Sequence, residues 1–452
     1  MNGKFLLLNI ALITAVLSAS GCGNLPAVGP APAPISTSVP TEMPAPTTKP
    51  STGPQIMVAF VKDGNIQLWD ESTGQSKTIL NAGDVIAVKM SDDGQVIAFL
   101  RRSGVQLAEN EWREQSALWA IDQNGANPRE LISAESLRQR LNAAERDSTN
   151  IPQMEWISGT HQLLFTGWTY FVQAEGESHA IPQGLYLVDA DAVTDKELVP
   201  AGSNLRFVPS PDGRQIALMS TNALSFINVD GSNLRSDVLT YPQVGLTAPL
   251  FPTGVWTGDS SAFVITGSLE NDPGYNINFT VWRVPVDGSS PESLATVTKS
   301  DPRSATFSPD GTRMAFLQAT DGQPPTIAGW FVTALAGNAR PLAIPSDFET
   351  WIASLHWSPA GDPFTGNLKK LCPEATSNSD ICDDRIHFDG TVAAVHWIDG
   401  NRVLILTQNP SVLFLGKMDF TGNMDGITIP IATWPVNDWV NLKSFTTAKV
   451  IR

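Results

Sequence analysis

The stretch "FSPDGTRMAFLQ", residues 307–318, places a four-residue turn between two apolar runs. Pro presets φ at the second turn position, Asp bonds back to the backbone and Gly accepts a positive φ, so this turn suits a tight β-hairpin. Close relatives stand at "VPSPDGRQIALMS", residues 208–220, and at "KMSDDGQVIAFLR", residues 89–101. The three copies predict a hairpin that recurs along the chain.

Weaker copies and a second phrase extend this pattern. The weaker copies start at "WISGTH" (156), "WTGDSS" (256), "WSPAGD" (357) and "WIDGNR" (397). Most copies are followed by an apolar strand that ends in an Asp/Gly turn, as in "FINVDGSNL" at 226–234. Each unit therefore contains four antiparallel strands in roughly 40–50 residues, the size of a propeller blade.

We predict an all-β fold, a seven-bladed β-propeller with four-stranded antiparallel blades; six and eight blades are the alternatives. Residues 56–80 supply only three strands. The left-over C-terminal segment, 439–451, is expected to provide the fourth strand and so to close the ring. A seventh blade is assigned to 350–432, where two blade-like starts leave the count open.

The N-terminus predicts an exported, lipid-anchored protein. Residues 1–21 combine one Lys with a short apolar run, which is typical of a secretory signal peptide. Residues 19–22, "ASGC", resemble the bacterial lipobox, and the resemblance implies lipidation of Cys22; an ordinary cleaved signal is the alternative. Residues 22–55 form a Pro-rich tether without aromatic residues, expected to be disordered. The propeller domain spans 56–452, outside the cytoplasm, at the cell surface or in the periplasm.

The net charge restricts the classes of partner, and the cysteine content predicts a disulfide. The net charge of −16 argues against nucleic acid, whose phosphates require a basic surface. With Cys22 lipidated, Cys372 and Cys382 are the remaining pair, and an oxidising compartment favours a disulfide between them. The predicted contacts are the membrane, through the anchor, and a protein or carbohydrate ligand.

The repeats resemble those of the TolB-type β-propeller, which carries WD-like repeats. The resemblance lies in Ser210–Gly213 and Ser308–Gly311, each followed by an apolar strand, and in the "VDGSNLR" turn at 229–235. It implies a propeller that serves as a docking platform. The chain departs from that family because no N-terminal α/β domain is predicted and a lipid anchor is expected, so the family's partner is not carried over.

The loops predict where a ligand binds. The short repeated turns share one face of the propeller, here called the turn face. The opposite loop face receives long, irregular loops at 101–116, 167–184 and 267–278 and a helix at 133–148. Variable loops on a rigid scaffold commonly carry binding residues. The predicted ligand-binding residues on this face are Trp112, Trp168, Tyr170, Tyr275, Glu111, Glu177 and His179.

Aromatic and acidic residues in that pattern suit a sugar or a cationic peptide; the alternative is that the aromatic rings pack beneath their own loops. The chain lacks a G-x-S-x-G elbow, an H-E-x-x-H motif and a glycine-rich phosphate loop, so no catalytic residue, metal site or cofactor is predicted. His356 and His396 each precede a Trp near an expected inner strand, and both are considered as channel residues.

The sequence thus favours a non-catalytic binding platform on a lipoprotein. A carbohydrate-active enzyme, a lyase or hydrolase acting at the channel mouth, is the alternative, and an accessory subunit of an exported complex is a third interpretation.

Overall fold

The computed structural model describes a β-rich domain with one short helix. The described residues are 55–108, 111–172, 178–243, 251–268, 278–298, 305–319, 327–335, 339–341, 355–357, 363–365, 391–398, 402–408, 412–417, 429–434 and 445–450. Cys22, Cys372, Cys382, Glu177 and Tyr275 lie outside this set, as do residues 1–54. In the described part of the chain, no helix is long and apolar enough to cross a membrane.

The first three blades occupy the N-terminal part of the domain. Blade 1 contains β1 (Gln55–Lys62), β2 (Asn65–Asp70) and β3 (Gln75–Leu80). Blade 2 contains β4 (Val85–Met90), β5 (Val96–Ala108), β6 (Glu111–Asp122) and β7 (Arg129–Ile132). The helix α1 (Ala134–Arg140) leads to blade 3, which contains β8 (Ser148–Trp156), β9 (Gln162–Val172), β10 (Ser178–Asp189) and β11 (Thr194–Val199).

Three further four-stranded blades follow. Blade 4 contains β12 (Arg206–Pro209), β13 (Gln215–Met219), β14 (Ala223–Asn228) and β15 (Arg235–Thr240). Blade 5 contains β16 (Gly254–Trp256), β17 (Ala262–Ser268), β18 (Phe279–Pro285) and β19 (Glu292–Val297). Blade 6 contains β20 (Thr306–Phe307), β21 (Arg313–Ala319), β22 (Ile327–Ala334) and β23 (Ala339–Pro341).

The C-terminal part differs in detail from the single blade expected over 350–432. A two-stranded sheet contains β24 (Leu355–Trp357) and β25 (Pro363–Thr365). The last blade is a separate four-stranded sheet of β26 (Thr391–Trp397), β27 (Arg402–Gln408), β28 (Val412–Lys417) and β29 (Ile429–Thr433). The total number of blades stays a prediction, because it depends on what accompanies β24 and β25.

Strand β30 (Phe445–Val450) completes blade 1, as the sequence predicts. It pairs antiparallel with β1, from Phe60 opposite Phe445 to Gln55 opposite Val450, and the sheet order is β3-β2-β1-β30. The last blade then packs against blade 1. Trp434 donates its indole N–H to the carbonyl of Val61 at 3.0 Å and its ring meets Phe60 edge-on. The chain ends therefore close the propeller ring.

The repeated turns have one geometry. In blade 4, Ser210 donates its hydroxyl to Asp212 at 2.6 Å and accepts the amide N–H of Gln215 at 2.9 Å. Gly213 has φ +68°, a conformation that disfavours a side chain. Ser91, Ser308 and Thr257 make the same pair of bonds in blades 2, 6 and 5. The turn is thus built identically even in the weak "WTGDSS" copy.

The core lies between blades. Six apolar clusters of the described residues each join two neighbouring blades, and the side chains that fill them alternate along the strands. A single blade exposes two apolar faces, so it is covered only when blades stand on both sides.

The loop face departs from the prediction. The segments expected as irregular loops at 101–116 and 167–184 are instead extensions of two hairpins, β5–β6 and β9–β10, with strands of 11 to 13 residues. The helix predicted over 133–148 is confined to α1, with Ser133 as its N-cap. Ser148 and the residues after it already belong to β8, because they pair with β9.

Candidate functional site

A cavity of about 390 Å³ opens in the channel between the innermost strands of the blades. Its walls come from β4, β8, β26 and β30, with one residue of β5. A site of this volume is within the range of small-molecule pockets. The lining residues are Ala87, Val88, Lys89, Leu100, Ile151, Pro152, Gln153, Met154, Glu155, His396, Phe445 and Thr446.

Three charged or ionisable residues occupy equivalent places in the channel. Lys89, Glu155 and His396 are each the second-last residue of an inner strand, directly before the repeated turn. In blades 2 and 3 the next residue, Met90 or Trp156, is apolar and buried between blades. Trp156 donates its indole N–H to the carbonyl of Lys89 at 3.1 Å. The strand alternation thus directs all three side chains to the channel.

Lys89 and Glu155 form an ion pair across neighbouring blades. The ammonium nitrogen lies 2.7 Å from a carboxylate oxygen, and each side chain keeps roughly a third of its surface exposed, 35% and 37%. A partly buried pair is screened less by salt than one on the outer surface. The cavity therefore contains both charges, already matched to each other.

His396 is held neutral beside this pair. The side chain of His396 borders the cavity and is exposed there. Partial desolvation by the protein around the ring lowers the pKa of His396. The positive charge of Lys89 lowers the pKa further. A neutral imidazole offers one hydrogen-bond donor and one acceptor. The side chain of His356, at the equivalent place on β24, lies outside the described residues.

The remaining wall is mixed. Gln153 donates its amide N–H to the carbonyl of Phe207 at 2.7 Å, which fixes the amide beside the cavity. The hydroxyl of Thr446 accepts the backbone N–H of Met90 at 3.2 Å. Ile151, Met154 and Phe445 supply apolar surface. The arrangement can hold a small molecule by hydrogen bonds to the polar groups on one side and by van der Waals contact with the apolar side chains on the other.

The predicted loop-face residues do not line this cavity where their side chains are described. Trp112 is 62% exposed on β6 and Tyr170 is 42% exposed on β9, while Trp168 is half-buried. Glu111 and His179 lie on β6 and β10, and their side chains are outside the described residues. The predicted site on the loop face stays a prediction.

The β5–β6 hairpin of blade 2 is joined to the β9–β10 hairpin of blade 3 through β8. Gln115 of β6 pairs with Thr149 of β8 in parallel, and the backbone N–H of Glu114 donates to the hydroxyl of Ser148 at 2.9 Å. This contact merges blades 2 and 3 into one eight-stranded sheet. Trp112 and Tyr170 therefore project from a continuous, hydrogen-bonded surface.

The turn face carries another ionisable cluster. His161 lies 2.7 Å from a carboxylate oxygen of Asp191 and 3.1 Å from one of Asp93, in the first turn of blade 2. Burial opposes its charge, but the hydrogen bonds to Asp191 and Asp93 outweigh that effect and raise the pKa of His161. Among the residues that the structure describes, no three His, Cys, Asp or Glu side chains are grouped to hold a metal ion.

Sequence reasoning missed Lys89 and Glu155. Both follow the alternation of an inner strand, and each stands where His356 and His396 stand in their own repeats. Aligning the repeats on the turn, and comparing the residue two places before it, would have identified the channel position in each blade.

Comparisons with known proteins concern the fold. No family model and no curated protein matches the chain. Among solved structures, the chain is similar to an oligogalacturonate lyase from Vibrio parahaemolyticus, with 14% identity, TM-score 0.43, and 68% and 81% of the two chains covered. A eukaryotic initiation factor gives 11% identity, TM-score 0.46, and coverage of 84% and 97%.

The β-propeller domain of the Trilobed protease from Pyrococcus furiosus gives 11% identity, TM-score 0.41, and coverage of 77% and 96%. These likenesses carry no argument about activity. The class of protein is set by the chain's own sheets and by the pairing of β1 with β30: it is a β-propeller with four-stranded antiparallel blades.

Proposed function

We propose that the protein is a lipid-anchored, extracytoplasmic binding protein of the TolB-like type, whose propeller presents a non-catalytic platform for a protein or carbohydrate ligand. The anchor would be the acylated Cys22, and residues 22–55 would carry the propeller away from the membrane. A disulfide between Cys372 and Cys382 belongs to the same proposal.

The observation that carries this proposal is the exposure of Trp112 and Tyr170 on the eight-stranded sheet that β6 and β8 join across blades 2 and 3. Exposed aromatic rings on a hydrogen-bonded sheet lose little conformational entropy on binding. Their flat surfaces suit either sugar rings or apolar side chains of a protein partner.

The test compares two double variants of the full-length protein. Trp112→Ala/Tyr170→Ala removes the two loop-face side chains, and Val193→Ala/Leu234→Ala removes two exposed apolar side chains on the turn face. Both are assayed against immobilised bacterial polysaccharides and purified envelope proteins. We expect the loop-face variant to lose about ten-fold or more in affinity for whatever the wild type binds.

Equal binding by both variants and the wild type would contradict the platform proposal. The anchor is checked separately, since Cys22→Ser should release the protein from the membrane fraction and remove the mass of the acyl chains. A Cys22→Ser protein that stays with the membranes would contradict the anchoring proposal alone.

A second candidate function is a carbohydrate-active enzyme with its site in the channel. It is favoured by the placement of Lys89, Glu155 and His396 around one cavity, which brings ionisable groups together as catalytic sites do. Turnover of polysaccharides into unsaturated products or new reducing ends, lost in His396→Gln and kept in His161→Gln, would support it over the platform.

A further inference from the structure

We propose that the channel cavity is a binding site for a neutral, hydroxyl-rich small molecule the size of a mono- or disaccharide. This site is separate from the loop-face platform of Trp112 and Tyr170, and it is built by strands of four blades. The cavity volume of about 390 Å³ leaves room for one or two sugar rings and excludes a folded protein segment.

The charges in the cavity select for a neutral ligand. Lys89 and Glu155 are 2.7 Å apart and satisfy each other. A ligand carboxylate would have to take Lys89 from Glu155, and a ligand ammonium would have to take Glu155 from Lys89. Either exchange leaves one partly buried charge without its partner, which is costly. Hydroxyl groups can bond to both side chains while the pair stays intact.

The other polar groups extend this selection. The imidazole of His396 borders the cavity, and its lowered pKa keeps it from adding a positive charge there at neutral pH. The hydroxyl of Thr446 accepts a backbone N–H, so its own hydrogen is directed elsewhere and can donate. Gln153 holds its amide beside the cavity through its bond to Phe207. None of these groups adds a net charge.

The apolar part of the wall suits the C–H faces of a sugar ring. Ile151, Met154 and Phe445 all border the cavity. Ile151 and Phe445 are almost fully buried in neighbouring blade interfaces, so their positions are fixed. A polyhydroxylated ring presents hydroxyl groups at its rim and C–H groups on its faces, which matches a wall of this composition.

The experiment is calorimetric titration of the full-length protein with four probes. Three are monosaccharides of similar shape: glucose, which is neutral, glucuronate, which is an anion, and glucosamine, which is a cation; the fourth is the neutral disaccharide maltose. We expect the neutral sugars to bind at least about ten-fold more tightly than either charged one. Glu155→Gln leaves Lys89 unpaired and should reverse the order, so that glucuronate binds best.

Two further variants control the interpretation. Glu114→Gln removes a carboxylate from the hairpin of blade 2, where it pairs with Arg102, and should leave the order of the four probes unchanged. Gln153→Ala should weaken glucose and maltose by about five-fold or more, with no reversal, and it serves if Glu155→Gln does not fold.

Several outcomes would overturn the proposal: no binding of either neutral sugar, tighter binding of a charged sugar by the wild type, or an unchanged order in Glu155→Gln. Loss of neutral-sugar binding in Trp112→Ala/Tyr170→Ala, with Gln153→Ala unaffected, would place the sugar on the loop face and would also overturn it. A negative titration leaves the platform proposal standing, because that test uses other residues.

Discussion

The side chain of His161 links blade 3, to which it belongs, with blade 2. Its ring contacts Asp191 in its own blade and Asp93 in blade 2, and it meets Trp156 edge-on. Arg129, which pairs with Asp122 and reaches Asp191 at 3.6 Å, and Asp189 are the other charged groups in this cluster. Both carboxylates that flank His161 are partly exposed, so their interaction with His161 contributes only modestly to the free energy of unfolding.

The raised pKa of His161 predicts the sign of its pH dependence. A raised folded-state pKa means that protonation favours the folded protein, so this stability is present below the unfolded value of 6.5 and is lost as pH rises through the folded value. Relative to His161→Gln, the wild type should be more stable by about 1 kcal/mol or less at low pH, with the difference vanishing at high pH.

Thermal unfolding of both proteins across this pH range measures the difference. His396→Gln provides an internal contrast, because the pKa of His396 is lowered and the wild type should lose stability relative to that variant as pH falls. A stability difference between wild type and His161→Gln that grows as pH rises would contradict the stabilising role of protonated His161.

At the scale of elements, the packing of helix α1 on the loop face depends on one glycine, Gly167, which leaves room for Leu141. A Cβ added to Gly167 would lie 2.4 Å from a methyl carbon of Leu141, which is buried directly after the helix. Gly167→Ala should therefore lower the free energy of unfolding by about 1–3 kcal/mol, since the core must shift to admit the methyl group.

Chemical denaturation tests this, with Gly258→Ala as the control. Gly258 lies in the first turn of blade 5, and an added Cβ there would meet nothing within 4 Å. We expect the control to remain within about 0.5 kcal/mol of the wild type. Equal losses in the two variants would contradict the role of the contact with Leu141, because an Ala at an open position such as 258 restricts the unfolded chain and should not destabilise the protein.

The sequence predicted the elements whose signals are local. The turn at Ser210, like its copies, is determined by four adjacent residues, so the sequence predicts it. The strands beside it are predicted by the alternation of apolar and polar residues. The hairpins β5–β6 and β9–β10 were predicted as irregular loops, because residues 101–116 are rich in charged residues and residues 167–184 contain three glycines and a proline, which obscure the strand alternation. The pairing of Gln115 with Thr149 is set by tertiary contact and has no sequence signature.

The channel site escaped prediction for a related reason. Lys89 and Glu155 are 66 positions apart, as their numbers show, and only the closure of the blades around an axis brings them to 2.7 Å. For Trp112 the sequence left two interpretations open, an exposed ring and a ring packed beneath its own loop, and the structure shows the side chain 62% exposed. The convergence of side chains from four blades depends on the register of each inner strand.

For the whole molecule, an ion pair supports the closure between the last blade and blade 1. Arg402 donates to a carboxylate oxygen of Glu71 at 2.9 Å, and the same oxygen accepts the backbone N–H of Ile56 at 3.0 Å. The side chains are only 12% and 22% exposed. A double-mutant cycle of Glu71→Gln and Arg402→Met should give a coupling energy of about 1–3 kcal/mol.

The matched cycle uses Arg102 and Glu114, whose ion pair is 3.4 Å long and mostly exposed. Its coupling energy should lie within about 0.5 kcal/mol of zero. If the Glu71–Arg402 cycle is equally weak, the closure rests on apolar packing around Trp434 and on the strand pairing, with no measurable electrostatic part.

The pairing of β1 with β30 also determines the order in which the protein can mature. Met57 finds its partner Ala448 only after all the intervening blades have been made. Until then the first sheet presents one bare edge, ready to join any extended strand nearby. Contacts so distant along the chain form slowly, so the newly made protein passes through a long period of vulnerability to aggregation. A chaperone that shields β1 during this interval would raise the yield more than one acting on any later sheet.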